Sequence, residues 1–182
     1  MAQPMTLGEC PVHNQTLPRG QAIPEFALSV VIILLLLLSI LQFGLLYNAQ
    51  IGLTNGVRDA TRYGSSLTAN TDATAMTQAA VTRAYLQSSL ASHVAPYSAA
   101  RLTSASQACY EGYTDVGAQS AVRVRVTAVY EHPLVVPLIG AIIDALDGAA
   151  DGYFQLRSTT EMRVDNPADP PVFFIGPACS SV

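Results

Sequence analysis

Lysine and tryptophan are missing from this chain of 182 residues, and charged residues of all kinds make up only 12% of it. The nine basic residues are all arginines, and the formal net charge is -4. Scattered arginines on an acidic background offer no stripe that could track a phosphate backbone, which argues against nucleic acid as a partner. Cysteine and histidine number three each, with no CxxC pair and no Cys/His cluster, so no metal site is indicated. His13, His93 and His132 stand far apart in sequence. A Ser-His-Asp set can be picked from almost any chain of this length, and no activated nucleophile or glycine-rich phosphate loop accompanies them. An enzyme is therefore not expected, and no cofactor is implied. The length leaves room for a membrane segment and one compact domain.

Charge is most completely absent from one stretch, with no charged residue from Phe26 to Val57. Between Phe26 and Tyr47 the only strongly polar residues are Ser29, Ser39 and Gln42. A helix over those 22 residues would reach about 33 Å, enough to cross a hydrocarbon layer of about 30 Å. An ordinary secretory signal has a shorter apolar region that ends at a small-residue cleavage site. This run continues as Ala49-Gln50-Ile51, so it is expected to stay with the protein. Arg19 precedes it, while Arg58 and Arg62 follow, so basic residues alone do not orient it.

The segment ahead of the run is Arg19-Gly20-Gln21-Ala22-Ile23-Pro24-Glu25-Phe26. A carboxylate at the mouth of a membrane helix is costly enough that a function is the default reading of Glu25. A glycine, four residues, then a glutamate, an aromatic and a long apolar helix resemble the processing site of type IV pilins. Gln42-Phe43-Gly44 and Leu53-Thr54-Asn55-Gly56-Val57-Arg58-Asp59-Ala60-Thr61-Arg62-Tyr63-Gly64 narrow that likeness. Together these residues are similar to the TadE-like family of tight-adherence pilus pseudopilins. The resemblance implies cleavage by a prepilin peptidase between Gly20 and Gln21. It also implies a carboxylate at Glu25, next to Phe26, that compensates the new amine of a neighbouring subunit, an attraction strengthened by a low-dielectric layer. The implied protein is a minor pilin-like subunit taking part in assembly of a thin Tad/Flp-type pilus. Its partners would be the membrane, the peptidase, other pilins or pseudopilins and the assembly platform of the inner membrane. It would be single-pass, with its N-terminus cytoplasmic and its C-terminal domain extracytoplasmic.

The expected fold class is α+β, with a leader over residues 1–20, a transmembrane and juxtamembrane helix over 21–64 and an extracytoplasmic domain over 65–182. Loss of Cys10 with the leader would leave Cys109 and Cys179, a possible disulfide in a compartment where such bonds persist, or else two unpaired thiols. A second helix is predicted from Ala73 to Val94, behind a cap at Asn70-Thr71-Asp72 and stopped by Pro96. From Ala121 to Tyr130 the alternation of Val122, Val124, Val126, Ala128 and Tyr130 with Arg123, Arg125 and Thr127 marks a half-buried strand. A second strand has Phe154, Leu156, Met162 and Val164 inward and Gln155, Arg157, Glu161 and Arg163 outward, and a third is expected near Leu102 to Tyr110.

Val135, Leu138, Ile139, Ile142, Ile143 and Leu146 follow helical spacing, with Asp144 and Asp147 off the stripe. Such a short helix would cover the sheet, or offer Ile139, Ile142 and Ile143 as a possible partner surface. Gly52 and Gly56 have the spacing that lets two helices approach closely. Two other functional readings stay open. One is an unprocessed single-pass anchored protein whose outer domain binds a ligand or a surface. The other is a major filament-forming pilin, for which the chain is large.

Overall fold

The charge-free run is helical from end to end and forms most of the first helix of a computed structural model. That model describes residues 22–68, 72–114, 120–148, 151–165 and 177–181. Helix α1 spans Ala22–Ser65, α2 Asp72–His93 and α3 Pro137–Asp147; the strands are β1 Gln107–Thr114, β2 Ser120–Pro133, β3 Tyr153–Arg163 and β4 Ala178–Ser181. The fold is α+β. Its four strands form one sheet in the order β3-β2-β1-β4, with every neighbouring pair antiparallel.

The chain divides into two compact units, Met1–Leu36 and Leu37–Val182. The described part of the first is the opening stretch of α1, whose large apolar side chains are exposed. In the second unit α1 continues with one buried face: Gln42, Leu46, Ala49, Leu53, Val57 and Ala60 recur at helical spacing. That face belongs to the same core as the domain, so the last half of α1 folds with residues 72–181.

Period-two alternation positions the sheet. Val122, Val124, Val126, Ala128 and Tyr130 of β2 are buried on one face, with Ala108 and Tyr110 of β1, Leu156 of β3 and Ala178 of β4 in the same cluster. On β3 the alternation runs unbroken through the polar middle: Ser158 is buried, while Gln155, Arg157, Thr159, Glu161 and Arg163 are exposed. Helix α2 lies against β1 and β4.

The opposite face of the sheet carries a charge ladder. Glu111 of β1 accepts from Arg123 and Arg125 of β2, and both arginines also reach Glu161 of β3. The ladder lets the arginines alternate with valines without leaving a charge alone, although exposed ion pairs of this kind contribute at most about 1 kcal/mol each.

Several boundaries moved. The expected third strand begins at Gln107 rather than near Leu102, which makes only an isolated bridge to Tyr130. Helix α2 starts at Asp72, and the expected cap at Asn70 and Thr71 lies outside the described residues. Strand β4 was not foreseen; four residues after a proline-rich stretch give too short a pattern to register as a strand.

Candidate functional site

The processing residues Gly20 and Gln21 lie outside the described residues. Glu25 falls in the first turn of α1, where a carboxylate faces the positive end of the helix dipole, and Phe26 beside it is exposed. Pro24 occupies the same first turn, where a missing N–H breaks no helical hydrogen bond. The Ser29 hydroxyl donates to the Glu25 carbonyl at 2.9 Å, so this serine satisfies itself within its own helix. Among the described residues α1 is the one helix long and apolar enough to cross a membrane.

The polar residue that matters most in the run is Gln42, which is fully buried. Its Oε1 accepts from the backbone N–H of Val136 at 2.9 Å and of Val135 at 3.2 Å. Those groups sit at the start of α3, whose own N-cap, Val136, has no side-chain acceptor and whose next residue, Pro137, has no N–H. A side chain of α1 thus holds the two residues that lead into α3. The Nε2 of the same amide is buried without a partner. The signal was present in the sequence, since a polar amide in an apolar run calls for a partner, but nothing local identified that partner as α3.

The residues named as a possible partner surface divide. Ile139 and Ile143 are buried within the chain, each 7% exposed, whereas Ile142 is 56% exposed. Two of the three are therefore spent on the domain's own packing, and among the described residues the large apolar side chains that face outward around α3 are Ile142, Leu138 and Val135. The single stripe read from helical spacing is really two adjoining faces.

Glycines let α2 lie directly on α1. A Cβ on Gly52 would come within 2.2 Å of the His93 carbonyl oxygen, and one on Gly56 within 2.7 Å of Leu90. The close approach expected of these glycines is made to the chain's own α2. At the third such position, Gly64, a buried polar node joins three elements: the Tyr110 hydroxyl donates to the Gly64 carbonyl at 2.7 Å and lies 3.1 Å from Thr82 Oγ1. Burial pushes the Tyr110 phenol up to about 12 despite the opposing hydrogen bond from Thr82, so the hydroxyl keeps its proton. Sequence reasoning missed this node, because a lone tyrosine on a strand looks like any other aromatic.

Cys109 and Cys179 stand directly opposite each other on β1 and β4, with Cα atoms 4.1 Å apart, and their sulfurs are bonded. The bond fastens β4, a short edge strand, to the sheet. On the solvent side of α1, Arg58 and Arg62 are exposed, and Asp59 lies 3.5 Å from His93 of α2. His132 is buried against the Pro133 carbonyl. Among the described residues no group of three or more His, Cys, Asp or Glu side chains is placed to hold a metal.

Comparison with known proteins agrees with the N-terminal geometry. The family model described as TadE-like protein matches residues 20–62, the stretch that carries the resemblance in the sequence. No curated protein and no solved structure matches the chain. The match points to a Tad pilus-related protein with an N-terminal apolar helix.

Proposed function

We propose that this chain is a minor pilin-like subunit of a Tad/Flp-type pilus assembly machine, a structural component and not a catalyst. In this reading a prepilin peptidase cuts between Gly20 and Gln21. The protein then stays as a single-pass component of the cytoplasmic membrane, with its N-terminus inside and its α+β domain outside. The observation that carries the reading is that the TadE-like match begins at residue 20 and runs through Glu25 into the apolar helix. Cleavage there would leave a free amine four residues ahead of Glu25, free to pair with the carboxylate of a neighbouring subunit. The partners follow from that chemistry: the peptidase, other pilins or pseudopilins and the membrane assembly platform.

The test is the N-terminal residue of the membrane-extracted protein, from cells with and without their prepilin peptidase. A start at Gln21 that vanishes without the peptidase is expected. A start at Met1 in both would leave an unprocessed anchored protein and remove the role given to Glu25. Thiol labelling gives a second readout on the same samples, because Cys10 precedes the cut. Without reduction, mature chains with Cys109 and Cys179 bonded take up no label, and unprocessed chains take up one.

A further inference from the structure

Among the described side chains, the outward face of α3 contains no polar residue. Pro137, Leu138, Ala141, Ile142 and Ala145 are all exposed, with Leu138 and Ile142 each at 56%. A helix covering a domain in water ordinarily turns charged or polar residues outward. Asp144 sits at the margin of this face and is occupied, its Oδ1 accepting from the N–H groups of Asp151 and Gly152 at 3.1 Å each.

The level at which α3 begins identifies what covers that face. The N–H groups of Val135 and Val136, just ahead of it, are bound to Gln42, inside the apolar run of α1. A helix that enters a bilayer near Phe26 needs about 20 residues to cross it, which carries the hydrocarbon layer past Gln42 to the neighbourhood of residue 45. Ile40, Leu41, Phe43 and Leu45 are exposed around the same level of α1, and Tyr47 follows at 70% exposure, a residue type enriched at membrane boundaries. At that level the default neighbour of any outward side chain is lipid.

We propose that α3 is a second membrane contact: its face of Leu138, Ala141 and Ile142, with Val135 before it, lies among the acyl chains of the leaflet on the domain side. The helix rests along the membrane surface, held by Gln42 of α1. Its acidic residues give no attraction to anionic headgroups, so the contact is apolar and insensitive to lipid charge and salt. The inference rests on α1 crossing a membrane, but not on processing or on any pilus partner.

The chain has no tryptophan, so a single introduced one reports its own surroundings. Full-length Ile142→Trp and Leu138→Trp proteins are reconstituted in phosphatidylcholine vesicles whose acyl chains carry bromine, a contact quencher, and iodide is added to the aqueous phase in a second measurement. Leu34→Trp, within the span, and Met76→Trp, on the exposed face of α2, are the references. The expected result is that tryptophans at 138 and 142 are quenched by the brominated chains several-fold more than the one at 76, resist iodide, and do not change when anionic lipid or salt is added. Two outcomes overturn the proposal while leaving the span intact. If Leu34→Trp is quenched by the lipid but 138 and 142 behave as 76 does, α3 lies in water. If 138 and 142 resist both quenchers, protein and not lipid covers the face, the occupant in pure vesicles being a second copy. A lack of lipid quenching at 34 would instead remove the membrane reading of α1 and this proposal with it.

Discussion

The two halves of α1 share one continuous backbone and almost nothing else. Up to Leu41 most large apolar side chains stay exposed, from Ile23 and Phe26 through Ile33, Leu34 and Leu37, with Leu35 and Leu38 partly covered. From Gln42 onward one side is buried, with the small residues Ala49, Gly52, Gly56, Ala60 and Gly64 set among Leu46, Leu53 and Val57, while Arg58, Asp59 and Arg62 face outward. The first half is apolar but for Glu25, Ser29 and Ser39, whereas the second mixes polar and charged residues with small ones at the positions where α2 approaches. Bulky Leu and Ile suit a helix whose neighbour is a fluid that fits itself to any shape. A helix approached by another backbone needs its side chains out of the way. The first half therefore takes its stability from its surroundings and the second from its packing.

The difference can be broken hardest at the far edge of the packed region. Replacing Cys109 and Cys179 together with serine removes a link across 70 residues of chain, expected to cost the domain about 2–4 kcal/mol. Reduction of the native protein should lower the urea midpoint of the domain in detergent to a similar degree, while amide exchange in α1 between Leu28 and Ile40 stays unchanged. Equal loss in both places would mean that the two halves are one cooperative unit. The next largest effect lies within the helix. Gly52→Ala must displace the His93 carbonyl, and overpacking of that kind costs about 1–3 kcal/mol. The same change at Gly44, where nothing lies within 4 Å of the added Cβ, should stay within about 0.5 kcal/mol or stabilise slightly, because alanine is the better helix former. A Gly44→Ala protein as unstable as Gly52→Ala would show that the groove does not decide the cost.

How much could be read in advance follows the same division. The apolar run, the end of α1 near Gly64 and the alternating faces of β2 and β3 were legible because each repeats a period over many residues. The inward set Val122, Val124, Val126, Ala128 and Tyr130 is buried as the alternation implies, but Thr127, expected outward, is buried as well, as is Val129, so the second half of β2 is covered on both faces. What stayed hidden depends on partners distant in sequence. Gln42 and the start of α3 are 93 residues apart, Gly64 and Tyr110 are 46 apart, and no local pattern joins them. Strand β4 exists because β1 offers it an edge and Cys109 a bond, neither visible in Ala178–Ser181 alone. The apolar stripe of α3 was legible as a stripe, but which half of it turns inward depends on where the rest of the domain sits.

The smallest expected effect separates the two regions by charge. No titratable group lies between Phe26 and Leu41, so a change of pH across the neutral range reaches stability only through the domain. There His132 is buried, and burial holds its pKa below the usual 6.5, with Arg101 lowering it further and the hydrogen bond to the Pro133 carbonyl opposing. In the folded state the ring stays neutral while the unfolded chain takes up a proton, so below about pH 6.5 the unfolded state binds more protons and stability falls. The loss stops growing once pH passes the folded-state value, and above pH 6.5 it is absent. Urea midpoints of the domain at pH 7.5 and 5.5 should therefore differ by less in a His132→Gln protein than in the wild type, since the substitution deletes the titration while the other groups titrate equally in both. An undiminished difference in His132→Gln would assign the acid sensitivity to another group.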